Sequence, residues 1–251
     1  MYKLLKKIAL FIVPRQFILK HEIRFRSLFA FCYRGNEHEC TICNHTFKKF
    51  IALDDGDLLC PFCGSRSRTR RLFDILQKES LINGSILHFS PSRSLYRYLS
   101  KREDIQYFST DFENEFIAQY NYDITKIDCP DDSIDLILCY HILEHIEQDE
   151  KAMRELYRVL KPGGVCIIQT PFIEGETIYE DSSKTTQEER LEYFGQEDHV
   201  RVYSVPGLIH RLEENHHEMV ERKNYNEELK YGLTPETVIF TKKKMANAKP
   251  I

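Results

Sequence analysis

The chain has no run of 18 apolar residues, so nothing in it is long enough to cross a bilayer as a helix. It has no cationic excess. Against 35 Lys and Arg stand 39 Asp and Glu, a formal net charge of −4, so the chain as a whole is not a polycation drawn to nucleic acid. It has no internal repeat and no low-complexity segment. Glycine is missing where it would be most expected. "SILHFSPSRSLYRYL", residues 85–99, reads as a strand running into a helix, a junction where nucleotide-type cofactors are commonly held by a glycine-rich turn. Here the turn is Ser90-Pro91-Ser92.

What is present fits one large domain or one medium domain with an appendage: 251 residues, 42% hydrophobic and 29% charged, enough for a sizeable core. The opening "MYKLLKKIALFIVPRQFILKHEIRFRSLFAF" is basic and apolar, with eight Lys or Arg and one Glu up to Arg34. Its apolar run "IALFIVP" ends at Pro14 and lacks a small-residue cleavage site, so the segment is expected to be retained. Two readings of it stand: an amphipathic helix pair docked on the body, or peripheral attachment of residues 1–34 to an anionic membrane surface.

Four of the eight cysteines form two pairs, "CTIC" (Cys40, Cys43) and "CPFC" (Cys60, Cys63), while Cys139 and Cys166 lie in apolar runs. The pattern suits a reducing compartment better than a disulfide framework. The C-x2-C-x16-C-x2-C spacing is that of a tetrahedral zinc site with four thiolates, which leaves no open position and makes the metal structural. Asn44 and Gly64, one residue past each pair, fit tight knuckle turns. "RSRTRRL" at 66–72 reads either as a phosphate-contacting arm or as the first turn of a helix continuing into "LFDIL".

From about residue 71 strands and helices alternate: strands at 85–90, 105–111, 133–140, 165–171 and near the end, helices at 94–102, 147–160 and about 205–215, with "KPGG" at 161–164 closing the second helix. Such alternation predicts a doubly wound, mostly parallel sheet whose ligands lie beyond the carboxyl ends of the strands. Asp111 ends the second strand, 21 residues beyond Ser90, where an acidic side chain can take both ribose hydroxyls; a capping or turn role is the alternative. Asp123 and Ile124 precede the next strand, and Tyr140, His141, Glu144 and His145 follow it.

"DITKIDCPDDSIDLILCYHILEHI…AMRELYRVLKPGGVCIIQTP" resembles the class I S-adenosylmethionine-dependent methyltransferases of the type-11 kind, densely over residues 107–172. "FGQEDHVRVY" (194–203) resembles a segment of a subgroup with an N-terminal four-cysteine, zinc-ribbon-like region. The resemblance implies an α/β fold: a doubly wound, mostly parallel Rossmann-like sheet with a small N-terminal zinc ribbon. The expected divisions are a basic helical segment at 1–35, the ribbon at 36–70 and the methyltransferase domain at 71–251. The resemblance further implies that His88, Phe89, Ser90 and Pro91 meet the methionine part of S-adenosylmethionine and that Asp111 holds its ribose. Asp123 would accept from the adenine amino group, Ile124 would lie beside the ring, and Tyr140 and His141 would line the methyl-transfer pocket. The subgroup's turn is "hF.Pe", and Ser92 stands where its Glu would be.

His199, in "EDHVR", is a candidate general base because its ordinary pKa lies near 6.5; packing or capping a loop is the other reading. Residues 171–203 replace a short connection and can form a lid over the acceptor. The expected function is methyl transfer to a small-molecule, glycan or lipid-linked acceptor in the cytoplasm; peripheral contact at the inner membrane face belongs only to the second reading of residues 1–34. The alternative is a zinc-ribbon module that binds RNA or protein on a methyltransferase fold without its cofactor.

Overall fold

The computed structural model describes residues 21–113 and 115–245. The expectations placed on residues 1–20 and on the "KKKMANAKPI" terminus beyond Met245 lie outside the described residues. The chain forms two compact units. Of the described residues, one comprises 21–76 with Arg93–Leu95 and Asn226–Thr234; the other comprises Gln77–Ser92, Tyr96–Tyr225 and 235–245.

The first unit begins with helix α1 (Glu22–Ala30), followed by a 3₁₀ turn Phe31–Tyr33. Its polarity is opposite to that of a docked amphipathic helix. Glu22, Arg26 and Ala30 are buried, whereas Phe25, Leu28 and Phe31 are 47%, 76% and 62% exposed. Charge decides this. Glu22 takes Arg26 Nε at 2.8 Å and Arg93 Nε at 3.0 Å, and so is stable indoors. Two hairpins of minimal strands follow, β1 (His38–Glu39) with β2 (Thr46–Phe47) and β3 (Ile51–Ala52) with β4 (Leu58–Leu59). Helix α2 (Ser67–Lys78) starts directly after them.

The arginines of "RSRTRRL" are fasteners of this unit. Arg70 is fully buried and donates to the carbonyls of Ser65 (2.6 Å), Leu58 (3.1 Å), Tyr231 (2.9 Å) and Gly232 (2.7 Å). Arg71 donates to Glu228 at 2.9 Å and to the carbonyl of Asn226, and Arg66 bonds Asp55 and Asp57. These bonds explain why the unit around the cysteines takes in Asn226–Thr234 as well as residues 36–70.

The second unit is built on strands β5 (Gly84–Phe89), β6 (Ile105–Thr110), β7 (Ile134–Tyr140), β8 (Leu160–Gln169), β12 (Glu221–Tyr225) and β13 (Glu236–Lys242). They form a six-stranded sheet in the order β12-β13-β8-β7-β5-β6. The pairs β5–β6, β5–β7 and β7–β8 are parallel, and β13 and β12 add antiparallel strands at one edge. Helix α3 (Arg93–Leu99) follows β5, and α4 (Asp149–Val159) follows β7. The amphipathic pattern of α4 is realised: Ala152, Met153, Leu156 and Val159 are wholly buried against Leu87, Ile137, Cys139, Cys166 and Ile168 of the sheet. Leu208 and Leu212 of α6 (Val205–Glu214) complete this face of the core.

Two local features depart from the sequence reading. "KPGG" does not separate helix from strand: α4 stops at Val159 and β8 starts at Leu160. Ile134 pairs with Leu160 but Leu136 pairs with Val165, so the four residues bulge out of the ladder. Gly163 has φ +83°, and a Cβ on Gly164 would lie 2.9 Å from the Lys161 carbonyl oxygen, so the bulge requires both glycines. Strand β12, "ERKNY", carries no apolar alternation and takes its place as a polar edge.

Between β8 and α6 lie β9 (Phe172–Ile173), β10 (Tyr179–Glu180), α5 (Gln187–Phe194) and β11 (Arg201–Ser204), with the three strands in one small sheet. This is the segment expected as a lid. It is fastened by an ionic network that runs from the exposed Glu180 to the buried Asp149. Arg201 Nε takes Glu180 at 2.9 Å, Arg211 takes Glu180 at 2.6 Å and Asp149 at 2.8 Å, and the Tyr203 hydroxyl donates to Asp149. Arg211 and Arg201 hold the Glu180 carboxyl down to about 2.

Candidate functional site

Two groups of ligand-bearing side chains occur among the described residues. In the first unit the sulfurs of Cys40, Cys43, Cys60 and Cys63 lie within 4.8 Å of one another. Cys40 and Cys63 are 3.6 Å apart, Cys43 and Cys60 3.8 Å. A tetrahedral site with metal–sulfur bonds of about 2.3 Å has sulfur–sulfur edges of about 3.8 Å, so the cluster has the dimensions of a filled four-cysteine centre. The sequence builds it from two equivalent knuckles. Asn44 N–H donates to Cys40 C=O at 2.8 Å and Gly64 N–H to Cys60 C=O at 3.1 Å, with φ +55° and +75° at Asn44 and Gly64. Four thiolates around a dication leave a net double negative charge. A Cβ added at Gly64 would lie 2.8 Å from the Arg26 guanidinium carbon, so that cation lies against one knuckle. Ser65 Oγ, 3.4 Å from Cys40 and 3.1 Å from Cys63, also receives Arg70 at 3.5 Å. Arg26 and Arg70 thus lie where buried cations would offset the charge of a filled centre.

In the second unit the strand order reverses at β5, with β6 on one side and β7 on the other. That is the switch point where doubly wound sheets open a crevice. The residues capping its two central strands hold left-handed backbone without being glycine: Ser90 after β5 has φ +43° and His141 after β7 has φ +54°. The glycine-free turn thus adopts the conformation that glycine would have supplied. Its amides are mostly spent. Ser90 N–H donates to Thr110 C=O at 2.8 Å and Pro91 has none, which narrows the expected backbone cradle. The side chain turns instead to Asp111, whose Oδ1 accepts Ser90 Oγ at 2.7 Å. Asp111 is 5% exposed, and its Oδ2 accepts the amides of Glu115 (2.6 Å) and Phe116 (3.1 Å). Oδ1, with one donor, retains acceptor capacity.

The other expected cofactor residues are placed as follows. His88 and Phe89 are buried in β5; His88 Nδ1 meets the Tyr107 hydroxyl at 3.0 Å, and burial pulls its pKa down to about 3. Pro91 is buried. Asp123 follows Tyr122, whose amide donates to Thr110 Oγ1 at 2.7 Å at the end of β6. Its Oδ1 accepts the amide and hydroxyl of Thr125, both at 2.8 Å, in an Asx turn. Ile124 is 4% exposed and belongs to the core. Tyr140 ends β7 half-buried. A cavity of about 320 Å³, lined by Asp135, Gly163 and Met245 among others, lies at the amino end of β7 and is no part of this site.

Beyond Tyr140 and His141 the chain makes a 3₁₀ turn, Leu143–His145, and Val200 N–H donates to Glu144 C=O at 2.9 Å. That contact brings "HILEHI" and "EDHVR" together. Ligand atoms of Glu144, His145 and His199 lie within 4.8 Å of one another, and the two imidazoles meet edge to face at 4.7 Å. Asp198 does not orient its neighbour His199; it reaches His145 Nδ1 at 3.1 Å. His199 Nδ1 faces Phe194 C=O at 3.3 Å, and burial and the adjacent His145 lower its pKa. His141 Nδ1 approaches Glu144 Oε1 at 3.4 Å. Burial raises the Glu144 carboxyl, but the neighbouring imidazoles outweigh it and leave it below the ordinary range. Sequence reasoning named His141 and His199 separately. It did not bring Glu144 and His145 to His199, because the contact runs between segments far apart in the chain.

Against known proteins, residues 90–168 match the family model described as "Methyltransferase domain". A Mycolicibacterium smegmatis protein described as "Probable S-adenosylmethionine-dependent methyltransferase" is 33% identical over 48 residues, 19% of this chain and 19% of that protein. The matched stretch thus spans about one fifth of the curated relative. Among solved structures, an S-adenosylmethionine-dependent methyltransferase from Archaeoglobus fulgidus aligns over 72% of this chain and 95% of its own, at 16% identity and TM-score 0.50. The [4+2]-cyclase SpnF aligns over 70% of this chain and 82% of its own, at 14% identity and TM-score 0.51. The fold is therefore the Rossmann-like fold of these enzymes. Residues 90–168 are thus similar to a methyltransferase domain, and a four-cysteine cluster lies in the N-terminal unit.

Proposed function

We propose that the protein is an S-adenosylmethionine-dependent methyltransferase whose four-cysteine centre holds a structural zinc ion. The observation that carries the reading is the Ser90–Asp111 pair at the switch point: a buried carboxylate with acceptor capacity beside a turn held in left-handed backbone without glycine. Ser90 and Asp111 would receive the ribose end, Asp123 and Ile124 the adenine, and His88, Phe89 and Pro91 would wall the first strand's end. Tyr140, His141 and His199 would border the acceptor. S-adenosylmethionine, when bound, supplies an already activated methyl group, so the task left to these side chains is alignment, exclusion of water and acceptance of an acceptor proton. His199, neutral at physiological pH through burial, suits the last of these.

The acceptor class proposed is a small molecule, glycan or lipid-linked hydroxyl or amine. Among the described residues no helix is long and apolar enough to cross a membrane. The exposed Phe25, Leu28 and Phe31 of the basic N-terminal region favour a peripheral contact with an anionic surface. Vesicles of anionic lipid that bind the protein at low salt and release it at high salt would support this contact; no binding at low salt would remove it.

The RNA-binding alternative loses its main support, because Arg66, Arg70 and Arg71 are engaged internally. A second use of the same fold remains in view, since SpnF is titled a cyclase. Calorimetry of the full-length chain with S-adenosylmethionine tests the proposal. Saturable binding supports it, and no binding at millimolar cofactor in folded protein overturns it.

A further inference from the structure

We infer that Glu144, His145 and His199 form a binding site for a divalent cation of the first transition row, separate from the four-cysteine centre. Three observations converge. First, the ligand atoms lie within 4.8 Å of one another, close enough to surround one ion. Second, the cluster holds orphaned polar atoms in a buried place. Glu144 is 1% exposed and His199 3%, yet neither carboxylate oxygen of Glu144 nor Nε2 of His199 makes a well-formed hydrogen bond; the nearest group, His141 Nδ1, stands 3.4 Å from Glu144 Oε1. Burying three such atoms together is costly unless something satisfies them. Third, both Nδ1 atoms are engaged by acceptors, as the outer nitrogen of a metal-binding histidine commonly is. Asp198 takes His145 Nδ1 at 3.1 Å and Phe194 C=O faces His199 Nδ1 at 3.3 Å, which leaves Nε2 of each ring for an ion.

Two imidazoles and one carboxylate form a nitrogen–oxygen set with open positions, suited to Mn²⁺, Fe²⁺, Co²⁺ or Zn²⁺ and unlike the closed, all-sulfur set of the cysteines. The site follows directly on Tyr140 and His141. On the methyltransferase reading proposed above, on which this step rests, the open positions take an oxygen of the acceptor, hold it, and make its hydroxyl proton easier to release to water. His199 then acts as a ligand, and its role as general base falls away.

The test uses the full-length chain loaded with a single equivalent of zinc, which the thiolates take first, and Mn²⁺ as probe, because Mn²⁺ is too hard to displace zinc from sulfur. Electron paramagnetic resonance should show one saturable Mn²⁺ per chain. Glu144→Gln and His199→Ala should each weaken binding at least about tenfold. Asp198→Asn, on an exposed residue that touches only the orienting shell, should weaken it by about 10- to 100-fold. Absence of saturable binding by the wild type at millimolar Mn²⁺ overturns the site, as does binding indifferent to all three substitutions; a cluster satisfied by water only gives one of these results. Calorimetry with S-adenosylmethionine on the same samples separates the two proposals. Cofactor binding without Mn²⁺ binding removes the metal site alone, and Mn²⁺ binding without cofactor binding removes the methyltransferase reading alone.

Discussion

The four-cysteine cluster and the cluster around Glu144 are built on opposite plans. The cysteines come from two short knuckles of one sequence pattern, each closing on its own backbone, with buried arginines against them. Glu144, His145 and His199 come from two segments far apart in the chain, joined through Val200, and they keep orphaned atoms. Four thiolates closed on a dication would contribute stability, and an incompletely satisfied cluster retains the capacity to bind. A related contrast holds between two carboxylates of the second unit. Asp149 Oδ2 is held by charge, from Arg211, and by the Tyr203 hydroxyl, whereas Asp111 meets only neutral donors: the Ser90 hydroxyl and the amides of Glu115 and Phe116.

The largest expected effect comes from breaking the closed centre. Structural zinc sites carry roughly 10–16 kcal/mol of apparent binding free energy, much of it folding free energy. Elemental analysis should find zinc on the cysteines, and Cys60→Ser should abolish it. Amide exchange should then accelerate at residues 38–65 and 226–234 while the six-stranded sheet stays protected. Equal loss of protection in both units, or wild-type protection without metal, would show that the first unit does not rest on the ion.

Next in size is acid sensitivity of the second unit. His217 bonds Thr241 Oγ1 and Met153 C=O, both at 2.8 Å, and burial draws its pKa down to about 4; His88 is drawn down to about 3. In the unfolded chain both titrate near 6.5. Above that pH neither state binds the proton and their stability contribution is complete. As pH falls from about 6.5 through 4 toward 3, the unfolded state takes protons that the folded state refuses, and stability is lost. At about 1.4 kcal/mol per pKa unit, the loss is on the order of several kcal/mol. Denaturant midpoints measured from pH 7 to 4 should fall, and His217→Gln should flatten the slope. A flat wild-type profile would mean that these rings protonate in place.

Much of this was legible in the sequence, and the exceptions have physical reasons. The cysteine centre was readable because its ligands and turn residues sit at fixed local offsets. The sheet was readable from buried apolar strands alternating with the 3.6-period helix α4. The inverted face of α1 was not, because it depends on Arg93 meeting Glu22 across the fold. Nor was the burial of Arg70 and Arg71, whose acceptors are carbonyls of residues 226–234. Asp198 and His199 were adjacent in sequence, but consecutive side chains in a loop point to different partners, so neither the pairing with His145 nor the orphaned Nε2 could be read from spacing.

Asp111 tests the open side of the comparison. A carboxylate accepting ribose hydroxyls makes charge-assisted bonds of roughly 1.5–3 kcal/mol each. Asp111→Ala should therefore weaken S-adenosylmethionine binding by at least about tenfold in calorimetry. Because Oδ2 also holds the amides of Glu115 and Phe116, Asp111→Asn serves as the shape-conserving control and should weaken binding in the same direction. Affinity unchanged in both variants would place the cofactor elsewhere.

The smallest effect sharpens the question of the missing glycine. Ser90 holds φ +43° and donates to Asp111 at 2.7 Å, so its side chain and its backbone can be separated by two substitutions. Ser90→Ala removes the hydroxyl and keeps the strained backbone. Ser90→Gly removes the same hydroxyl and relieves the left-handed penalty of roughly 1–2 kcal/mol. It returns about 0.4–1 kcal/mol of that as added freedom of the unfolded chain. Ser90→Gly should thus be more stable than Ser90→Ala by on the order of 1 kcal/mol in chemical denaturation. Both variants lose the donor to Asp111, so both should show the same modest change in S-adenosylmethionine affinity, smaller than that of Asp111→Ala. If Ser90→Gly instead bound the cofactor more tightly than wild type, close backbone approach would be limiting and the serine would be a poorer glycine. If the two variants were equally stable, Ser90 would not be strained, and the turn would need no glycine.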